Sequence, residues 1–193
     1  MTERWVPRVQ THTAPVELYT ALRGAWTGLI GSEPSRASLL VLLAHWALET
    51  GFGAACWNWN LGNVKHVKGD GRDYFGVRHN EIVNGKTIWL DADDTEEPKD
   101  PFRAFHGLAE GVSDYLGILR GQFGFAWPAV EAGDAASFCH ALRQRGYYTS
   151  DEALYTAGVM RCYHQLDASI PIDPEPVAAM HPEFVPPDPT DSA

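Results

Sequence analysis

The sequence contains one nearly uninterrupted apolar segment, which reads Ser38-Leu-Leu-Val-Leu-Leu-Ala-His-Trp-Ala-Leu-Glu-Thr-Gly-Phe-Gly53. Only His45 interrupts the apolar residues from 39 to 48. This run is too short to cross a bilayer, and a helix without a polar face belongs inside a protein. Gly51 and Gly53 provide the chain reversal at which helices end. The segment therefore predicts a buried central helix.

Glu49 is the last charged residue before this helix ends. The helix dipole places partial negative charge at that end, and burial disfavours an ionised carboxylate. Both effects predict a raised pKa for Glu49, and a carboxyl that keeps its proton near neutral pH suits general acid catalysis. The alternative is that Glu49 only pairs with a surface arginine and keeps the helix end soluble.

The composition predicts one domain with a hydrophobic core and flexible ends, since 45% of the 193 residues are hydrophobic. The formal net charge of −10, without a basic run, argues against a nucleic-acid partner. Three scattered cysteines do not indicate a disulfide framework, and the histidine spacing does not indicate a zinc site, so no metal or cofactor is expected. The first residues lack an apolar signal segment, and no stretch reaches transmembrane length, which predicts cytoplasmic synthesis without membrane insertion.

Apolar residues recur with a helical period in several other segments, which makes the protein mainly α. Besides the central helix, the predicted helices are 15–30, 107–120, 126–132, 134–145 and 151–166. Asp134 is the expected N-cap of the helix that follows it. Thr149 and Glu152 have the spacing of a capping box for the last helix.

Residues 64–100 differ in composition, with more Gly and Asp and with short apolar runs. The segment 81–90 predicts a β-hairpin, because Asn84-Gly85 supplies the positive φ angles of a tight turn. These residues therefore predict a small β lobe inserted after the central helix.

The domain organisation follows from these elements. Residues 15–168 are expected to form the folded domain, and residues 1–14 an extended N-terminal extension. Residues 169–193 are rich in Pro and acidic side chains, which predicts an extended or disordered tail.

Two tryptophans and two asparagines alternate in Trp57-Asn-Trp-Asn60 without a helical period. One interpretation is a loop with its Trp rings tucked into the core. The other is a cleft wall, because Trp faces stack on the apolar faces of sugar rings and Asn side chains hydrogen bond to hydroxyls.

Three blocks in this order resemble the lysozyme superfamily. They are most similar to the β-N-acetylglucosaminidases of glycoside hydrolase family 73, found in autolysins, flagellar wall-cutting enzymes and phage lysins. The first block is Ala47–Gly53 followed by Asn60–Lys65, in which Asn63 stands where Gly is usual. The second runs from the hairpin to Phe102-Arg-Ala-Phe105, and the third is Tyr147-Tyr-Thr-Ser-Asp151.

The resemblance implies a mainly α (α+β), lysozyme-like fold, in which a helical lobe and a small inserted β-hairpin lobe flank a glycan cleft. It also implies hydrolysis of peptidoglycan glycan strands. Glu49 matches the general acid, Glu81 the second carboxylate on the β lobe, and Tyr147 a tyrosine on the cleft floor that could steady an intermediate. The expected substrate-binding residues are Trp57, Trp59, Asn60, Asn63 and Tyr148. Phe102 and Arg103 match residues that hold the two lobes together.

Glycoside cleavage uses one carboxylic acid to protonate the leaving oxygen, and usually a second carboxylate to stabilise the transition state or activate water. Glu49 and Glu81 are the first candidates, and Asp70, Asp73, Asp91 and Asp93 are alternatives for the second role. Without a second acid, the 2-acetamido group of the substrate could assist, or lytic transglycosylation could replace hydrolysis. The resemblance favours cleavage after N-acetylglucosamine, and a muramidase of the same fold stays open.

Two other functions compete with this interpretation. Cys56 lies in a context faintly similar to papain-like nucleophile sites, with His106, His140 or His164 as base, which would give an amidase or peptidase. No apolar helix follows Cys56 to lower its pKa. Alternatively, the domain is a non-catalytic wall-binding or structural module of a phage tail or injection assembly.

The place of action predicted from the resemblance is the bacterial cell wall. A chain made in the cytoplasm would reach the wall by lysis, in a phage particle or through a secretion machine. An effector delivered in this way would also call for an immunity protein that fills the cleft.

Overall fold

The chain forms six α-helices and four short strands in the computed structural model, which describes residues 3–76, 79–83, 86–90 and 100–172. The helices are α1 (Pro15–Ile30), α2 (Arg36–Thr50), α3 (Leu108–Arg120), α4 (Trp127–Ala132), α5 (Ala135–Gln144) and α6 (Glu152–Ser169). The strands are β1 (Asp73–Phe75), β2 (His79–Val83), β3 (Lys86–Leu90) and β4 (Phe102–Ala104). The predicted helices and the hairpin are present, which confirms a mainly α fold with a small β portion.

Helix α2 lies at the centre of the core. Every side chain from Ser38 to Ala47 is buried, and α1, α4 and α6 pack around them. The helix begins where the Ser35 side chain accepts a hydrogen bond from the Ser38 amide, and it ends at Gly51 in a left-handed conformation with φ of 57°. The apolar segment is thus a core helix, and none of the described helices is long and apolar enough to span a membrane.

The loop after α2 carries unusual backbone conformations. Phe52, Asn58, Trp59 and Asn63 all have positive φ values between 47° and 56°. Non-glycine residues adopt this region only where their surroundings hold them there, and such positions cluster near functional sites. The loop is held against α3, where a Cβ added to Gly111 would lie 2.2 Å from the carbonyl oxygen of Trp59.

The strands form two separate antiparallel pairs. Strand β1 pairs with β4, with Tyr74 opposite Arg103, and β2 pairs with β3, with Glu81 opposite Ile88. The second pair is the predicted hairpin, although its turn residues 84 and 85 lie outside the described residues.

The N-terminal residues are extended and lie along the domain. The Val6 amide donates to the Tyr74 carbonyl at 2.9 Å, and the Arg4 amide donates to the Asp73 carboxylate at 3.0 Å. Gln10 forms a further bridge to Trp57. Residues 3–10 therefore border the β1–β4 pair and the loop after α2.

The beginning of α6 differs from the prediction. Its N-cap is Asp151, whose side chain accepts a hydrogen bond from the Leu154 amide at 3.0 Å, so the predicted capping box of Thr149 and Glu152 is wrong. Glu152 instead pairs with His140 at 2.7 Å. The negative charge of the Asp151 carboxylate is also stabilised by the positive end of the helix dipole. The predicted Asp134 cap of α5 is confirmed, and residues 173–193 of the predicted tail lie outside the described residues.

Candidate active site

A pocket of about 290 Å³ opens beside the C-terminal end of α2. Its lining comes from the helix end, the loop that follows, strand β4, the end of α3 and the turn before α6. The lining residues are Glu49, Gly62, Asn63, Val64, Lys65, Val67, Arg103, Ile118, Gln122, Phe123, Gly146 and Tyr147. Three of the residues predicted from the sequence, Glu49, Asn63 and Tyr147, are thus brought together here.

A larger groove of about 610 Å³ runs along the outer face of α1. Its charged residues, Arg23 and Glu33, pair with each other at 2.7 Å on the surface. The hydrogen bond from Arg23 lowers the pKa of Glu33, which makes this carboxylate a poor proton donor. The smaller pocket is therefore the better candidate for acid catalysis.

Glu49 is a largely buried carboxyl with 18% of its side chain exposed. Burial raises its pKa, as the sequence predicts, and outweighs the opposing effect of a hydrogen bond from the Tyr155 hydroxyl to Oε1 at 2.7 Å. The Asn63 amide donates to the main-chain carbonyl of Glu49 at 2.7 Å and so ties the loop to the helix end. The Glu49 carboxyl therefore has a raised pKa and also lines the pocket.

His45, one helical turn before Glu49, is neutral. Burial lowers the pKa of His45 to about 3, so its ring is uncharged near neutral pH. The Tyr115 hydroxyl lies 2.7 Å from Nδ1 of His45 and 3.0 Å from the Leu42 carbonyl oxygen. Nε2 lies 3.7 Å from Oε1 of Glu49. Because the ring is uncharged, it supplies no positive charge that would stabilise the Glu49 carboxylate.

Tyr147 lines the pocket on the side of the turn before α6. Its hydroxyl donates to the Gly62 carbonyl at 2.9 Å, and its ring packs against Phe123 at 4.9 Å and His45 at 5.0 Å between centroids. Burial, with a further contribution from the charge of Glu49, raises the pKa of Tyr147 well above its ordinary value. The residue therefore stays protonated and holds the loop against the helices.

Trp57 and Trp59 do not line the pocket beside Glu49. Trp57 is half-buried against Phe75 and Phe102, with the Arg8 guanidinium 4.8 Å from its ring centroid. Trp59 faces the N-terminal segment and lines a separate cavity with residues such as Val9. The structure thus follows the interpretation in which the Trp rings support the loop, and their glycan contacts stay a prediction.

Asn60 and Tyr148 also have internal partners. The Asn60 amide donates to the carbonyls of Val64 and Arg103, at 2.9 and 3.0 Å, and its oxygen accepts from the Val64 amide at 2.8 Å. Tyr148 stacks on Tyr155 at 3.7 Å, and its hydroxyl donates to the Cys139 carbonyl at 3.1 Å. Since both side chains are buried and hydrogen-bonded, the structure places them in support of the site and not on its surface.

The candidates for a second carboxylate are not beside Glu49 in the described part of the chain. Glu81 lies in β2, but its side chain is outside the described residues, as are Asp91 and Asp93. Asp70 pairs with Arg103 at 2.8 Å, and Asp73 pairs with Arg4 at 3.3 Å. Neither aspartate lines the pocket.

Arg103 connects the β portion to the helices, as the resemblance implies. Its Nη1 lies 3.0 Å from the Asp114 carboxylate on α3, and its Nε binds Asp70 in the loop before β1. Asp114 is itself 6% exposed, so the pair is largely desolvated. This bridge fixes the pocket wall that contains Val64 and Lys65.

Two residues of the site were missed by the sequence reasoning. Tyr155 belongs to the apolar face of α6, and His45 looks like an ordinary interruption of an apolar run. For Tyr155 the sequence held no signal. For His45 there was one, because a spacing of four residues places His45 and Glu49 on the same face of a helix.

Cys56 does not fit a nucleophile. It is 2% exposed, and burial raises the pKa of its thiol. The closest polar partners described for Sγ are the Thr11 hydroxyl at 3.5 Å and the Asn60 carbonyl at 3.8 Å, and neither is a base.

Sequence comparison decides the family. The profile of the glucosaminidase family, described as mannosyl-glycoprotein endo-beta-N-acetylglucosaminidase, matches residues 34–168, more than half of the chain. The chain belongs to this family. The enzyme is therefore a glycoside hydrolase, and the matched region contains α2, the pocket and all of α6 except its last residue. No curated protein matches the enzyme closely enough to count as a relative.

Two solved structures share the fold of the enzyme. The C-terminally truncated glycoside hydrolase domain of FlgJ from Salmonella typhimurium is 24% identical, with a TM-score of 0.53 over 79% of this chain and 94% of that one. A peptidoglycan hydrolase mutant from Sphingomonas sp. A1 is 20% identical, with a TM-score of 0.58 over 80% of this chain and 93% of that one. These similarities confirm the predicted lysozyme-like architecture.

Proposed function

We propose that this enzyme cleaves the glycan strands of bacterial peptidoglycan after N-acetylglucosamine, with Glu49 as the general acid. The observation that carries the proposal is a partly accessible carboxyl of raised pKa in the pocket of a glucosaminidase-family domain. The substrate class is supported by the Sphingomonas sp. A1 neighbour, which is a peptidoglycan hydrolase.

In the proposed mechanism, protonated Glu49 gives its proton to the glycosidic oxygen as the bond to the sugar breaks. A water oxygen then bonds to the anomeric carbon, either directly, with loss of its proton to the second carboxylate, or after the 2-acetamido oxygen has bonded there first, with loss of its proton to Glu49. The Tyr155 hydroxyl binds Oε1, which leaves Oε2 to carry the proton. The neutral His45, whose Nε2 lies 3.7 Å from Oε1, supplies no positive charge that would stabilise the carboxylate before the transfer. After transfer, Tyr155 stabilises the new carboxylate through the hydrogen bond that it already makes.

Glu49 is the one carboxyl among the described residues that line the pocket. We therefore propose Glu81, the residue to which the resemblance gives this role, as the second acid. Assistance by the 2-acetamido group of the substrate is the alternative, because it requires no further protein carboxylate. Asn63 and Tyr147 line the pocket, and we propose that they position the sugar.

Tyr155→Phe tests the proposed acid through its pH dependence. The Tyr155 hydrogen bond lowers the pKa of Glu49, so its removal should raise that pKa further. We expect the alkaline limb of the kcat/KM profile, on which the acid loses its proton, to move up by about one pH unit. Tyr163→Phe on the same helix, outside the pocket, is the control and should leave the profile unchanged. An alkaline limb that stays in place in Tyr155→Phe would argue against Glu49 as the titrating acid.

The bond that is cut is tested by digesting purified peptidoglycan and determining the ends of the soluble fragments by mass spectrometry. Reducing N-acetylglucosamine ends are expected. Reducing muramic ends would mean a muramidase, and anhydro-muramic ends a lytic transglycosylase. Free peptides with intact glycan would overturn the glycosidase proposal, and binding without any release would point to a structural module.

The proposed substrate lies outside the cytoplasmic membrane. We propose that the enzyme reaches it by lysis, in a phage particle or through a secretion machine. A producing cell whose own cell wall is exposed to the enzyme would need an immunity protein. We propose that such a protein would bind in the pocket beside Glu49. If affinity capture from the producing cell finds no tight-binding protein, the immunity partner is ruled out.

A further inference from the structure

A second cluster of polar groups lies apart from the proposed acid, where the N-terminal segment meets the loop before β1. Glu3, His66 and Asp70 each offer one ligand-type atom, and these atoms lie within 4.8 Å of one another. Nε2 of His66 is 3.5 Å from Oε2 of Glu3 and 3.5 Å from Oδ1 of Asp70. The three residues come from distant parts of the sequence, so no motif indicated the cluster.

The histidine in this cluster lacks a hydrogen-bond partner for its inner nitrogen. The His66 side chain is 5% exposed, and within the described part of the chain its Nε2 is buried without a hydrogen bond. The ring is fixed by packing on Tyr74, with 4.7 Å between centroids. A buried polar nitrogen without a hydrogen bond costs about 1–3 kcal/mol, and an ion placed between Nε2 and the two carboxylate oxygens at 3.5 Å would remove this cost.

We propose that Glu3, His66 and Asp70 bind a divalent transition-metal ion, for which Zn²⁺ is the best fit. One imidazole nitrogen and two carboxylate oxygens are a ligand set that zinc accepts. Zinc bonds of about 2.0–2.1 Å in a tetrahedron separate neighbouring ligand atoms by about 3.4 Å, close to the two 3.5 Å separations seen here. A water molecule would complete the fourth position.

The remaining atoms of the two carboxylates are held in a way that suits ligands. Oε1 of Glu3 accepts from the Gly71 amide at 2.7 Å. Oδ2 of Asp70 accepts from Nε of Arg103 at 2.8 Å, while Oδ1 also accepts from the Arg72 amide at 2.9 Å. Hydrogen bonds of this kind orient metal ligands. They leave Oε2 of Glu3 and Oδ1 of Asp70 directed at His66.

The metal would act as a structural clamp. His66 and Asp70 lie in the same loop as Lys65 and Val67, which line the pocket beside Glu49. Glu3 belongs to the segment that borders β1. A bound ion would therefore join the N-terminal segment to the loop that forms one wall of the pocket, without contacting the proposed acid.

Isothermal titration of the untagged full chain with ZnCl2 tests the proposal. We expect one site per chain, and an affinity at least about tenfold weaker in both His66→Ala and Glu3→Gln. Glu3→Gln keeps an acceptor for Gly71 and is the milder change. His140→Ala is the matched control, because His140 also pairs with a carboxylate, at 2.7 Å, but no third ligand joins it in the described residues.

The shift of the thermal unfolding midpoint on addition of Zn²⁺ is a second measurement. It separates loss of a metal ligand from misfolding, because a misfolded variant would show no cooperative unfolding transition. Saturating Zn²⁺ should raise the unfolding midpoint of the wild type by about 5 °C and leave the two ligand variants unchanged. Mg²⁺, which prefers oxygen ligands, should have no such effect. No zinc binding by the wild type would overturn the site, and so would undiminished binding by either variant. The first result would leave His66 as an ion-pair partner of the two carboxylates.

Discussion

Glu49→Gln should reduce kcat on peptidoglycan by about 10³-fold, because the amide cannot protonate the leaving oxygen. The substitution keeps the size of the side chain and an oxygen that can accept the Tyr155 hydrogen bond. Binding of the insoluble substrate should survive, so the loss should fall on kcat and not on KM. Initial rates of reducing-end release provide the measurement.

Glu33→Gln is the matched control for this experiment. It makes the same chemical change in the turn after α1, where Glu33 forms an exposed ion pair with Arg23. Exposed pairs contribute little to stability, so activity and folding should both stay near those of the wild type. Activity within tenfold of the wild type in Glu49→Gln would reject Glu49 as the general acid.

The same variant should be more stable than the wild type at neutral pH. Burial raises the pKa of Glu49 in the folded state above its ordinary value of 4.5, so the unfolded chain ionises this carboxyl more readily. As pH rises from the ordinary pKa through the folded one, the wild type loses stability that the amide variant keeps. The difference in unfolding midpoint should therefore grow with pH over that window and vanish in more acidic solution.

Gly111→Ala should destabilise the fold by about 2–4 kcal/mol, because the new methyl group would lie 2.2 Å from the Trp59 carbonyl oxygen. The obstacle is backbone, in a loop whose conformation is already strained, so the helix and the loop would have to separate. For a chain of this size the unfolding midpoint should drop by about 6–12 °C.

Gly117→Ala in the same helix is the control, because nothing lies within 4 Å of its added Cβ. Alanine is the better helix former, so this change should be neutral or stabilise by up to about 1 kcal/mol. Equal effects of the two substitutions would mean that α3 and the loop are not in close contact. Thermal or denaturant unfolding of both variants measures the difference.

Much of the helical framework was accessible from local sequence patterns. Helix α1 has the predicted bounds, Pro15–Ile30, and α2 was located from its apolar run and its terminal glycine. These features depend on residues a few positions apart, which is the range over which periodicity and capping act. The predicted cap of α6 was wrong although it depends on the same short range, because Asp151 and not Thr149 is the N-cap of this helix.

The raised pKa of Glu49 was also predictable, because it depends on a position at the end of a buried helix. Its dominant cause in the structure is burial. The predicted roles of the Trp and Asn side chains were harder to judge, because an alternating aromatic and amide loop can face either a cleft or a core. In the folded chain the Asn60 amide donates hydrogen bonds to main-chain carbonyls and so stabilises the loop.

Local sequence thus determined the helices, the hairpin and the carboxyl at the end of α2. The tertiary structure decided the partners of that carboxyl. Tyr155 reaches Glu49 across 106 residues of sequence, and Tyr115 contacts the His45 ring from 70 residues away. Glu3 meets His66 and Asp70 in the same manner. Such contacts form only when separate elements pack together, and the direction of a side chain after packing is not encoded in the spacing of its neighbours.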